Sequence, residues 1–140
     1  MEEIAKNESD SGSTFAKRLI TGQAAEQYFR DSFADVDLSQ GYKLHDTTKF
    51  GCGFDFKLLN ENSAAYCGVE VKGLSDKSGN VVLTNKEYAV AGFLKERYFL
   101  FVVKNFREKP FHHLYQDPIK TLDFTKTEQK IIQTSWGVSV

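Results

Sequence analysis

Asp55, Glu70 and Lys72 are the residues whose types and spacing could do chemistry together. They lie on two runs that alternate polar and apolar side chains, Phe54-Asp55-Phe56-Lys57-Leu58 and Tyr66-Cys67-Gly68-Val69-Glu70-Val71-Lys72. Period-two alternation is the pattern of a half-buried strand. The turn-forming string Asn60-Glu61-Asn62-Ser63 between the runs predicts an antiparallel hairpin. With Asn62 and Ser63 at the centre of the turn, Asp55 faces Glu70 directly. With Glu61 and Asn62 there, Asp55 faces Gly68 and Glu70 is its diagonal neighbour. The side chains are then about 5 Å or about 7–8 Å apart. A one-residue slip would put them on opposite faces, but it would also stop Phe54, Phe56, Val69 and Val71 from sharing a buried face. The expectation is one apolar face, with Cys52 and Cys67 on it as small core residues, and one face carrying Asp55, Lys57, Glu70 and Lys72.

Two carboxylates a few Å apart suit a hard divalent cation, and Mg²⁺ takes oxygen ligands octahedrally while keeping several waters. One such water can become a nucleophile, and an ammonium two residues after Glu70 can position it or neutralise developing charge. A phosphodiester fits such a site because it is anionic. The competing expectation is a solvated sheet face, on which the four charged side chains form cross-strand ion pairs worth under ~1 kcal/mol each. Asp…Glu-x-Lys alone is a weak pattern.

Composition sets the frame. A chain of 140 residues is one domain's worth, and 41% hydrophobic with 14% aromatic residues excludes a disordered tail. Eighteen basic against nineteen acidic residues leave a net charge of -1, without the basic excess that marks a nucleic-acid binder. The charge is uneven: residues 1–56 hold six basic and ten acidic residues (-4), and residues 57–140 hold twelve and nine (+3). The acidic start, Met1 to Asp10, lacks the apolar segment of a secretory leader, and no apolar run reaches the ~20 residues of a membrane helix. Two cysteines are too few for a disulfide scaffold, so a cytoplasmic protein with reduced thiols and no membrane partner is expected.

The elements that must position the three residues follow from periodicity. Residues 1–13 read as a flexible N-terminus and 14–140 as a single domain. Ser13 or Thr14 is a helix N-cap ahead of Phe15, Leu19, Ala24, Ala25, Tyr28, Phe29 and Phe33, with Gly22 marking a late start or a bend. Tyr42–Asp46 alternates as a strand. Val81-Val82-Leu83 is a short strand or a lead-in. Thr84 and Glu87 form a capping box, and the helix behind it is expected to reach about Arg97 with Tyr88, Ala91 and Leu94 on one face. Tyr98-Phe-Leu-Phe-Val-Val103 fits a central strand covered on both sides. Phe111–Tyr115 and Ile131–Val140, with Trp136, read as further strands. Helix, three strands, helix, strand is an α/β order with a mixed sheet flanked by helices.

That order, with Glu26 in Gly22-Gln-Ala-Ala-Glu26 upstream of Asp-x(14)-Glu-Val-Lys, resembles the PD-(D/E)XK nuclease superfamily. Within it, Gly53-Phe-Asp55, Val69-Glu-Val-Lys-Gly73, Leu83-Thr-Asn-Lys-Glu87 with Ala91, Tyr98–Val103 with Asn105, and Asp117-Pro118 with Ile119 and Leu122 are similar to the NO VEIN C-terminal nuclease-like domain, a module at the end of restriction and helicase proteins. The resemblance covers roughly residues 20–120. It implies a restriction-endonuclease-like αβββαβ core and Mg²⁺-dependent hydrolysis of DNA, with Mn²⁺ as a substitute. It makes Asp55 and Glu70 the metal ligands, the Val71 carbonyl a third, and Lys72 the catalytic lysine. Glu26 becomes an outer carboxylate reaching the metal through water, with a plain helix-surface Glu as the equal alternative. Phe54 stands where the superfamily has Pro. DNA is the implied partner, together with a paired copy or a companion recognition or helicase domain. A nuclease-like module that binds DNA or a protein without cutting is the alternative.

Other residues weigh less. Thr84, Asn85 and Glu87 read as a helix cap rather than as catalytic residues. Lys86, Lys104, Arg107 and Lys109 are candidates to grip phosphates, against solvated surface cations. His112 and His113, adjacent on a strand, point to opposite faces and cannot share one ion.

Overall fold

Strand β4 (Tyr98–Lys104) is buried from Tyr98 through Val103. A strand without polar alternation needs cover on both faces, and the architecture supplies it. The computed structural model describes residues 19–36, 40–128 and 134–139. Its sheet runs in the order β1 (Tyr42–Asp46), β2 (Phe56–Asn60), β3 (Cys67–Gly73), β4 and β5 (Phe111–Gln116). β3 and β4 are parallel; the other three pairings are antiparallel. The β3-to-β4 crossover carries helix α2 (Asn85–Leu94) over one face. Helix α1, helical over 19–32, covers the other, and a short α3 (Pro118–Thr121) follows β5. This is the expected α/β order, a mixed sheet flanked by helices.

Each face has its own core. On one side Ala25 and Phe29 of α1 bury against Phe56, Leu58, Val69, Val71, Phe101 and Val103. The Phe29 ring sits 4.7 Å from Phe56 and 4.9 Å, edge-on, from Phe101. On the other side Ala91 and Leu94 of α2 close over Phe54 and Tyr98. Gly73 lets α1 lie directly on the end of β3, since a Cβ there would meet the Thr21 carbonyl at 2.9 Å and the Ala25 Cβ at 3.0 Å.

Several local expectations need correction. The helix runs through Gly22 without a break, while Ser13, Thr14 and Phe15 lie outside the described residues. Val81–Leu83 forms no strand and serves as a lead-in to α2. α2 ends at Leu94, and Lys95–Arg97 continue as a 3₁₀ turn. Tyr88 is largely exposed, against a rim contact with Phe124. Residues 134–139 form no strand and Trp136 is 94% exposed, because Thr134, Ser135, Gly137 and Ser139 leave too few apolar side chains to bury a face; Ile131 lies outside the described residues. The largest correction concerns Phe54 and Cys52. They pack on the α2 side, away from Cys67 and Phe56 on the α1 side, for a reason that lies in the site itself.

Candidate active site

The β2–β3 register is Phe56↔Val69 and Leu58↔Cys67. Asp55 also donates its N–H to the Val69 carbonyl (2.9 Å), so two residues of one strand stand opposite one of the other. This is a β-bulge. It shifts the phase of the alternation, which puts Phe54 on the α2 side and Phe56 on the α1 side. It also ends the ladder early: β2 begins at Phe56 rather than at Phe54, while β3 runs on to Gly73. Beyond the last pair β3 has an open edge. Asp55 turns into that notch, and its Oδ2 accepts the Val71 N–H at 2.9 Å. The Val71 carbonyl points to the same edge, because a strand residue directs both backbone groups to one side.

The backbone before Asp55 is held from several directions. Thr47 N–H donates to the Asp55 carbonyl (2.9 Å), and the Tyr98 hydroxyl donates to the Gly53 carbonyl (2.9 Å). Gly53 has φ +91°, and a Cβ there would come within 2.6 Å of Val90 on α2, so only glycine fits.

Glu70 and Lys72 leave β3 on the α2 side, opposite Val69 and Val71. Glu70 is 4% exposed, which removes the solvated-face alternative for it. Lys57 faces Gly68, and its ammonium lies 4.4 Å from the Tyr66 ring centroid, so the expected quartet does not form. The Lys72 ammonium instead lies 3.4 Å from Glu70 Oε1 and 2.9 Å from Glu87 Oε1. Glu87 Oε1 also accepts the Thr84 N–H at 2.9 Å, and Thr84 Oγ1 accepts the Glu87 N–H at 3.1 Å. The capping box was legible as a cap; that its carboxylate also anchors Lys72 was not. The link depends on the crossover, which sets the first turn of α2 over β3.

The electrostatics describe a crowded pair. Burial, then the Asp55 charge, pushes Glu70 up to about 10. Burial also raises Asp55, against its bond from the Val71 N–H and the pull of Lys72. The two carboxyls act on each other in opposite directions: Asp55 raises Glu70, and Glu70 lowers Asp55. Burial works against the Lys72 ammonium, but Glu70 and Glu87 outweigh it and its pKa rises. Glu87 is lowered: burial opposes this, and the Thr84 N–H and Lys72 overcome it. On α1, Glu26 is raised by burial first and then by Asp55, against Arg30 at 3.9 Å. Glu26 is thus within electrostatic reach of Asp55, from the face opposite Glu87.

This donor set fits a hard divalent cation: two carboxylates that need a proton between them, and a backbone carbonyl on the same edge. Among the described residues no three His, Cys, Asp or Glu side chains form a metal-binding group, so a cation here rests on Asp55, Glu70 and backbone or water oxygens.

A family model described as Protein NO VEIN, C-terminal, matches residues 25–116, more than half of the chain. The chain belongs to that family. No curated protein and no solved structure matches it. The part of this NO VEIN C-terminal domain that matches runs from Ala25 on α1 to the end of β5, so it contains Glu26, Asp55, Glu70, Val71, Lys72, Glu87 and the whole sheet.

The cationic candidates divide. Lys86 is exposed on the first turn of α2, next to Glu87, with its carbonyl near Gly53. Lys104 ends β4, and Arg107 and Lys109 lie in the loop beyond it. There Phe106 N–H donates to the Leu74 carbonyl and Arg107 N–H to the Ser75 carbonyl, so this loop follows the chain that leaves Lys72. Arg107 pairs with Asp76 at 3.5 Å. His112 stacks on Phe101 and bonds the Tyr28 hydroxyl, while His113 is exposed beside Lys104 and Tyr115, so the two do point apart. No helix among the described residues is long and apolar enough to cross a membrane.

Proposed function

We propose that this domain is a metal-dependent endonuclease that hydrolyses DNA phosphodiester bonds, with Mg²⁺ (or Mn²⁺) held by Asp55, Glu70 and the Val71 carbonyl. The observation that carries the proposal is the bulge at Asp55, which turns one carboxylate into the notch beside a second, buried carboxylate and an anchored lysine. When bound, the cation supplies Lewis-acid polarisation of the phosphate and a more acidic water. The protein's own residues do the rest. Asp55 is fixed by the Val71 N–H and cannot swing away. Lys72, steered by Glu87, offers a cation to the charge that builds on the phosphoryl oxygens. Glu26 orders water on the α1 side. Lys86, Lys104, Arg107 and Lys109 offer charge to the flanking phosphates.

Plasmid nicking in Mg²⁺ or Mn²⁺ tests this. The wild-type protein should cut, and Asp55→Ala and Lys72→Ala should each lower the rate by two orders of magnitude or more, as removing one transition-state contact does elsewhere. Activity that survives either change sinks the assignment. A second reading is a nuclease-like module that binds DNA or a protein without cutting. It is favoured by the lack of a three-side-chain metal group among the described residues. Calorimetry without heat of Mg²⁺ or Mn²⁺ binding, alongside salt-dependent DNA binding, would select it.

A further inference from the structure

α2 packs over β3 and β4 and leaves the same face of β1 and β2 uncovered. An open groove of about 720 Å³ results, with Phe50, Tyr66 and Phe93 among its walls and His45, Asp46 and Lys57 along its length. Phe50 and Phe93 are 75% and 76% exposed. Two phenyl rings left in water beside one groove mark a binding surface. Cations flank its Tyr66 wall. The Lys57 ammonium lies over the Tyr66 ring at 4.4 Å and the Arg97 guanidinium at 5.8 Å. Asp46, the acidic residue of the lining, is taken up by Arg30 through bonds of 3.0 and 2.8 Å. The groove borders the chain segment that carries Asp55: Thr47 and Phe54 line it, Thr47 N–H bonds the Asp55 carbonyl, and Asp55 is the next residue after Phe54.

We propose that this groove binds an unpaired nucleobase of the strand whose phosphate lies at Asp55 and Glu70. The base stacks on the exposed Phe50 and Phe93 rings, and Lys57, over the Tyr66 ring, meets the adjoining phosphate. The inference rests on the phosphodiesterase reading above and narrows its substrate class to nucleic acid with a single-stranded or unpaired nucleotide beside the cut. Aromatic rings with nearby cations are the means by which proteins hold single strands, and every base has a face to stack. A base inside a duplex cannot reach such a groove without leaving its pair. A second copy of the chain could use the phenyl rings, but it has no need of a lysine beside them next to the segment that carries Asp55.

The test uses the Lys72→Ala protein in Mg²⁺, so that bound DNA survives, with a single-stranded oligonucleotide carrying 2-aminopurine and a blunt duplex of the same sequence. The 2-aminopurine fluorescence should fall on binding. Adding Phe50→Ala or Phe93→Ala should abolish that quenching and weaken single-strand binding about ten-fold, the worth of one stacked base. Duplex binding should stay the same, since both rings are exposed and the fold does not need them. Lys57→Gln should weaken single-strand binding and reduce its salt dependence. Equal single-strand affinity with and without the phenyl rings overturns the inference, as does an equal loss for both DNA forms. Self-association abolished by Phe93→Ala, with no oligonucleotide bound, assigns the groove to a second copy and also overturns it. Wild-type cleavage of the single strand and of the duplex, run in parallel, separates the two readings. If the duplex is cut without dependence on Phe50 or Phe93, only the groove assignment fails; if nothing is cut, the phosphodiesterase reading fails as well.

Discussion

At the scale of single residues, the informative group is Glu70, a carboxyl 4% exposed that lies beside another carboxyl. Without a cation it holds a proton up to about pH 10, whereas a free glutamate releases its proton near 4.5. Between those values the folded protein keeps a proton that the unfolded chain has lost. Unfolding is then favoured as pH rises, and stability falls across that window; below it both states are protonated and the difference vanishes. Glu70→Gln keeps a neutral hydrogen-bonding group and removes the titration. In EDTA its Tm should exceed that of wild type by a margin that grows from about pH 5 to about pH 9, while cleavage is lost. A margin that stays flat with pH would show that Glu70 does not hold the proton. Residues of this kind, placed where an apolar or amide side chain would be more stable, are expected where function sets the choice.

At the scale of elements, the bulge at Asp55 and the first turn of α2 do the positioning, and they were legible to different degrees. Thr84 and Glu87 announce the N-terminus of α2 in the sequence, since a capping box depends only on residues three apart. The two changes there should separate. Thr84→Ala should cost about 1 kcal/mol of stability in urea melts and leave kcat near wild type. Glu87→Gln retains an acceptor for the Thr84 N–H but removes the charge that holds Lys72, so it should lower kcat more than it lowers stability. The order of elements along the chain, the hairpin and the buried β4 were legible because alternation and apolar runs are local signals. The bulge was not, because it depends on Gly53 at positive φ, on the Tyr98 hydroxyl and on Val90 of α2, all distant from Asp55 in sequence or invisible as a pattern. Alternation taken at face value therefore put Phe54 and Cys52 on the wrong side. Gly68 records the same phase shift. A Cβ there would lie 2.8 Å from the Phe54 ring, so Gly68→Ala should destabilise by about 1–3 kcal/mol. If the Phe54 ring lay on the α1 side, the change would be nearly silent in the same melts.

At the scale of the molecule, the near-neutral charge is the feature that argues most directly against DNA, and the site changes its meaning. The formal -1 includes Asp55 and Glu70, and one divalent cation between them would bring the total to +1. The basic surplus of residues 57–140 lies on the part of the chain that carries Lys72, Lys86 and the loop from Lys104 to Lys109. DNA affinity should therefore be coupled to the cation with an unusual sign. For a protein that grips phosphates only through lysines and arginines, Mg²⁺ competes for the DNA and weakens binding. For this domain, millimolar Mg²⁺ should strengthen duplex binding by the Lys72→Ala protein, about ten-fold or more, because the cation removes the repulsion between the Asp55 carboxylate and a phosphate, takes the place of the Glu70 proton and offers the phosphate a ligand site. Adding Asp55→Ala to that protein should restore the ordinary sign, with Mg²⁺ weakening whatever binding remains. Anisotropy titrations at fixed ionic strength measure both. Weakening by Mg²⁺ in the presence of Asp55 would mean that no cation bridges the carboxylates to DNA, and the notch at Asp55 would then be a structural feature of the sheet alone.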